Sequence, residues 1–106
     1  MADLQQEDWT KMLSEDNNSV VLDVRTLEEV EELGVIPNAI HIDIFKGQGF
    51  IDEVQQLDTS KNYYVYCKAG GRSAQACVIM NQLGFSNAYN LLGGFSNWKG
   101  DKISIK

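Results

Sequence analysis

The chain predicts an α/β fold in which a doubly wound parallel sheet carries helices on both faces. Three observations point there. Short runs rich in β-branched and aromatic residues, at Val20 to Val24, Tyr63 to Tyr66 and Asn87 to Leu92, recur along the sequence. Stretches with apolar residues at helical spacing separate them, and two of these close on a glycine, Gly34 and Gly84. The run Val20 to Val24 is largely apolar instead of alternating, as expected of a strand covered on both faces.

Taken in order, Met1 to Gln6 reads as a polar lead-in, and Glu7 to Leu13 as a first helix on the spacing of Trp9, Met12 and Leu13. Ser14 to Ser19 is polar and turn-rich, and leads into the strand Val20 to Val24. Thr26 followed by Glu29 is a capping-box pattern, so Leu27, Val30 and Leu33 make a short amphipathic helix that Gly34 ends. Pro37-Asn38 marks a turn before the short strand Ala39 to Ile42. Gly47 and Gly49 bracket a flexible stretch, after which Phe50, Ile51, Val54 and Leu57 share one helical face. Asp58-Thr59-Ser60 turns the chain into the strand Tyr63 to Tyr66, and Ala74 to Leu83 is the next helix. Asn87 to Leu92 is a further strand, Gly93-Gly94 a sharp turn, Phe95 to Lys99 a short helix, and Lys102 to Lys106 a tail.

Composition sets the frame for function. With 106 residues, 43% hydrophobic and 23% charged, the chain suits one domain over residues 1–106 with a single core. A net charge of −6 with no basic stripe to offset it disfavours nucleic acid and anionic membrane as partners. Two cysteines, without a signal peptide or a long apolar run, predict a reducing cytoplasm and not a disulfide scaffold.

The chemistry concentrates where the strand Tyr63 to Tyr66 runs into Cys67, followed by Lys68-Ala69-Gly70-Gly71-Arg72-Ser73 and a helix. Ligands of doubly wound sheets bind beyond the carboxyl ends of the strands, and Cys67 lies there, as does Asp23-Val24-Arg25. The loop curls in front of a helix start, where backbone N–H groups lack intrahelical acceptors and make an anion cradle. A sulfur in that cradle is stabilised as thiolate by the amides, by the helix dipole and by the cations Lys68 and Arg72. A dipole contribution of about 2 kcal/mol is roughly 1.5 pKa units, enough to bring a thiol of pKa ~8.5 near neutrality. Gly70 and Gly71 fit because a Cβ would obstruct a tight ring of inward-pointing amides.

The segment Cys67 to Ser73 resembles the active-site loop of the rhodanese family of sulfurtransferases. Leu22-Asp23-Val24-Arg25 with the acidic run Glu28 to Glu32, Gly34-Val35-Ile36-Pro37-Asn38-Ala39-Ile40 and Gly93-Gly94-Phe95-Ser96-Asn97-Trp98 follow the family's order. The resemblance implies a single-domain rhodanese-like, mostly parallel five-stranded sheet with the cysteine loop at the strand termini. It also implies that the Cys67 thiolate takes the outer sulfur of a small anionic donor such as thiosulfate and holds it as a persulfide. The sulfur then passes to cyanide, a thiol or a protein acceptor, without metal or organic cofactor. In that chemistry Cys67 is catalytic, while Lys68, Ala69, Gly70, Gly71, Arg72 and Ser73 bind the donor and its sulfur.

Loop length bears on the nearest rival, since Cys67 through Arg72 spans six residues where the related dual-specificity phosphatases and arsenate reductases carry one more. A smaller ring suits a sulfur atom better than a phosphate, which ranks phosphatase well behind. Two further readings are a persulfide carrier supplied by another enzyme and a non-catalytic protein-binding module. An exposed apolar patch beside the loop would favour the carrier, and an open cationic pocket would favour small donors.

Other residues read more plainly. Cys77 sits among Val78, Ile79 and Met80 and is expected to be an inert core thiol. Asp23 and Arg25 read as a supporting ion pair that fixes loops around the site. Phe95 and Trp98 read as core or pocket wall, and His41 has no partner legible in the sequence. Val35 stands where many family members have histidine, and Asn38, which tolerates positive φ, stands where they have a turn glycine.

Overall fold

The computed structural model describes residues 2–105. Five strands form one sheet: β1 (Ala2–Leu4), β2 (Ser19–Asp23), β3 (Ile40–His41), β4 (Asn62–Tyr66) and β5 (Ala88–Leu91). Their order is β1-β5-β4-β2-β3 and every pairing is parallel, so the sheet is parallel throughout instead of mostly so. Four helices connect them: α1 (Gln6–Glu15), α2 (Leu27–Leu33), α3 (Gln48–Val54) and α4 (Gly71–Gln82).

Side-chain alternation along the strands divides the core into two layers. Leu22, Tyr63, Val65, Cys67 and Ala88 pack with Phe50 and Val54 of α3 and with Ala76, Cys77 and Met80 of α4. Val21, Tyr64, Tyr66 and Leu91 pack on the other side with Trp9 of α1, Ile36, Phe95 and Trp98. Trp9 centres this second layer, standing edge-on to Tyr64, Tyr66 and Trp98 at 5.8, 6.4 and 5.7 Å. Burying such a ring contributes roughly 1.5–3 kcal/mol by the area rule, which makes α1 a part of the core despite its polar outer face.

Several sequence expectations are corrected. The lead-in Met1 to Gln6 contains β1, which pairs Ala2, Asp3 and Leu4 with Tyr89, Asn90 and Leu91. Three residues carry no readable alternation, and this strand exists because the edge of β5 offers its hydrogen bonds. The tail also contains structure, for Val35 and Ile103 exchange backbone hydrogen bonds at 2.8 and 2.9 Å in an antiparallel bridge. The stretch before α3 is not a flexible linker: Ile44–Lys46 is a 3-10 turn, and Gly49 already lies inside the helix. Helix α4 begins at Gly71 and not at Ala74, and Phe95 to Lys99 is a 3-10 turn over Phe95–Asn97. The capping box at the start of α2 is present as read, with Thr26 and Glu29 bonding each other's backbone N–H, and Asn38 has φ +70°.

Candidate active site

Strand β4 ends at Tyr66, and the next residue, Cys67, is 1% exposed. Its Sγ accepts hydrogen bonds from the Gly70 N–H at 3.1 Å and from the Ser73 hydroxyl at 3.3 Å. Gly70 bends the loop back with φ +104°, where a side chain would be strained. Burial pushes the Cys67 thiol up, but the Ser73 hydroxyl and the backbone amides of Ser73, Gly70 and Ala69 outweigh it and hold its pKa below the usual thiol value.

The loop is gripped from outside by the turn after β5. The Phe95 N–H donates to the Cys67 carbonyl at 2.8 Å, and the Ser96 N–H donates to the Lys68 carbonyl at 2.9 Å. That approach requires Gly94, since a Cβ there would stand 2.6 Å from the Cys67 oxygen and the Lys68 carbonyl atoms. Gly71, by contrast, is not needed for the ring: a Cβ there meets nothing within 4 Å and its φ is not positive, because it is already the first residue of α4.

Arg72 is near enough to the sulfur for the two charges to interact, but its hydrogen bonds go elsewhere. Both terminal nitrogens of Arg72 go to the Glu29 carboxylate, at 2.6 and 2.7 Å, and its guanidinium lies over Phe45 at 5.4 Å. The Arg72 hydrogen bonds hold the Glu29 carboxyl down at about 2. Arg72 is therefore a tie between α4 and the start of α2, with its charge already matched. Lys68 is exposed at the loop's outer edge, next to Ala69, which is also exposed.

Asp23 and Arg25 are both fully buried and paired at 2.6 Å. Arg25 also donates to the Gly34 carbonyl at 2.7 Å, and its guanidinium packs on the rings of Phe95 and Tyr66 at 4.3 and 5.3 Å. The pair lies behind the loop, and Phe95 joins the two by placing its ring on Arg25 and its N–H on Cys67. His41 does have a partner, a ring nitrogen 2.6 Å from the Arg25 carbonyl. Cys77 is buried on α4, and burial pushes its thiol up to about 12.

Sequence reasoning missed Glu29 as the partner of Arg72, Gly94 as the seat of the loop, and Asn90 with Asp3. Asn90 is 1% exposed on β5 and accepts from the Ser73 hydroxyl at 2.5 Å. A polar residue inside an apolar strand was the available signal for it.

The chain matches the family model for the Rhodanese-like domain over residues 6–101. It is 38% identical over 87 residues to YtwF of Bacillus subtilis, whose name carries a provisional sulfurtransferase assignment, covering 81% of this chain and 79% of that one. It is 35% identical over 80 residues to the thiosulfate sulfurtransferase GlpE of Coxiella burnetii, covering 76% of this chain and 71% of that one. Among solved structures, a rhodanese-like domain protein from Staphylococcus aureus superposes with a TM-score of 0.83 at 29% identity, covering 100% of this chain and 99% of that one. The sheet order, the cysteine loop at its carboxyl edge and these matches agree that the chain belongs to the rhodanese-like domain family.

Proposed function

We propose that the protein is a sulfurtransferase that works through a persulfide on Cys67. The observation that carries this reading is a sulfur ringed by hydrogen-bond donors at the strand-to-helix corner, with its pKa held down. The Cys67 thiolate attacks the outer sulfur of thiosulfate, the S–S bond of the donor breaks, and sulfite leaves with the electron pair. A nucleophilic acceptor such as cyanide then attacks the terminal sulfur of the persulfide, and the Cys67 thiolate departs unchanged. The loop N–H groups and the Ser73 hydroxyl stabilise the negative sulfur at each stage, and the N–H groups are already in place before charge develops. Lys68, exposed at the rim, attracts the anionic donor. Cys67 and Cys77 are both unpaired, which fits work in the cytoplasm.

A second reading, a persulfide carrier served by another protein, is favoured by apolar groups beside the loop. Phe45 is 69% exposed over Arg72, and Leu92 is 37% exposed next to Gly70.

Intact-protein mass spectrometry after incubation with thiosulfate, in parallel with Cys67→Ser, tests the proposal. One added sulfur on the native chain alone, removed by cyanide, is the expected result. An adduct of equal size on Cys67→Ser would overturn the assignment of Cys67. No adduct with thiosulfate but one with a persulfide donor would select the carrier.

A further inference from the structure

The hydroxyl of Ser73 has one proton and two acceptors within reach. It lies 3.3 Å from the Cys67 sulfur and 2.5 Å from Oδ1 of Asn90. The orientation of Asn90 is fixed, because its Nδ2 donates to Asp3 Oδ1 at 3.0 Å and to the Gly70 carbonyl at 3.2 Å. Turning the amide over would set its oxygen against two acceptors. Asn90 Oδ1 must therefore face Ser73, and it takes the hydroxyl proton while Cys67 is a thiol.

A thiolate is acceptor-only. When Cys67 ionises, the Ser73 proton has to turn from Asn90 to the sulfur, and the buried Asn90 oxygen loses its donor. We infer that Asn90 is a positioning residue that competes with the Cys67 thiolate for the single Ser73 proton, and so limits how readily the sulfur ionises. The donation from Asn90 to the Asp3 carboxylate strengthens its oxygen as an acceptor and ties this competition to the edge strand β1. The inference rests on Cys67 being the reacting group of the proposed sulfur transfer.

Other charges near the sulfur do not duplicate the effect. Arg72 of α4 faces it but is matched by Glu29 of α2 and sits near Asp43, ahead of the 3-10 turn at Ile44–Lys46. Asp3 of β1 reaches it through Asn90. Lys68 is exposed on the loop, Cys77 of α4 is buried and protonated, and Asp23 with Arg25 at the end of β2 are paired with each other.

The test is the pH dependence of Cys67 alkylation by iodoacetamide, with the modified residue located by peptide mapping. Asn90→Ala should lower the apparent Cys67 pKa by about one unit, the scale set by leaving one buried acceptor unpaired. Ser73→Ala should raise it by about one unit, and adding Asn90→Ala to Ser73→Ala should change nothing further. A rise in Asn90→Ala, or an equal fall in the Ser73→Ala background, would overturn the inference, since either means that Asn90 acts on the loop without Ser73. If Asn90→Ala does not fold, the side-chain 13Cγ signal of Asn90 in the native chain reads the same proton. That signal should move through the Cys67 titration and stay flat in Ser73→Ala, and equal movement in both would overturn the idea. Neither readout needs a sulfur donor, so failure here is separate from failure of the sulfurtransferase reading.

Discussion

Replacing Gly94 by alanine tests how much of the cysteine loop is shaped by groups outside it. Gly94 has φ +59° and ψ −159°, a region that glycine alone occupies readily, so another residue is strained there by roughly 1–3 kcal/mol. The new methyl would also lie 2.6 Å from the Cys67 oxygen and from the Lys68 carbonyl carbon and oxygen. These are backbone atoms, and the two oxygens accept the hydrogen bonds from Phe95 and Ser96. Room for the methyl comes only from opening the loop, an overpacking that typically costs about 1–3 kcal/mol. Taken together, Gly94→Ala should lose about 4 kcal/mol, a large share of the ~5–15 kcal/mol that holds a domain folded. Gly84→Ala is the control: its φ is +99°, but an added methyl meets nothing within 4 Å, so it should lose only the strain. Urea unfolding gives the stabilities, and the pH profile of Cys67 alkylation reports the loop. If Gly94→Ala unfolds at the same urea concentration as Gly84→Ala, the outside grip on the loop is not what the hydrogen bonds indicate.

Glu29→Gln should destabilise the fold by about 1–2 kcal/mol at pH 7. Linkage from 4.5 to about 2 sets an upper bound of about 3 kcal/mol, reduced because both side chains remain about a fifth exposed. Since folding depresses this carboxyl, its contribution is complete above about 4.5 and fades as the pH falls through about 2. Urea midpoints of native and variant chains should therefore converge in acid, and a constant gap would refute the tie. Lys68→Ala should raise the KM for thiosulfate more than it lowers kcat, because attraction at an exposed rim acts mainly on binding; an unchanged KM assigns donor binding to the amides. Gly71→Ala should leave the fold intact or stabilise it by about 0.4–1 kcal/mol, since the added methyl has space and the residue begins a helix. A loss beyond 1 kcal/mol in thermal unfolding would show that the start of α4 is tighter than it looks.

Much of this architecture was legible because single stretches carried it. The aromatic run into Cys67, the glycines and the apolar helix after them place the thiol at a strand end by local rules alone. The capping box at Thr26 and Glu29 is likewise local. What escaped was made by distance in sequence: Glu29 meets Arg72 across 43 positions and Asn90 meets Ser73 across 17. Charge count pointed to Lys68 and Arg72 beside the sulfur, but not to the Glu29 carboxylate that takes both terminal nitrogens of Arg72. Strand β1 was invisible because Ala2, Asp3 and Leu4 have no strand signature without the edge of β5 beside them.

Both ends of the described chain are stitched into the surroundings of the sulfur. At one end Asp3 holds Asn90, which holds Ser73; at the other the Ile103 backbone clasps Val35, beside the Gly34 carbonyl that receives Arg25. Trimming that removes Asp3 or Ile103 would therefore act as a perturbation of its chemistry. Shortened forms are best compared by the behaviour of Cys67 before any difference in turnover is given a biological meaning.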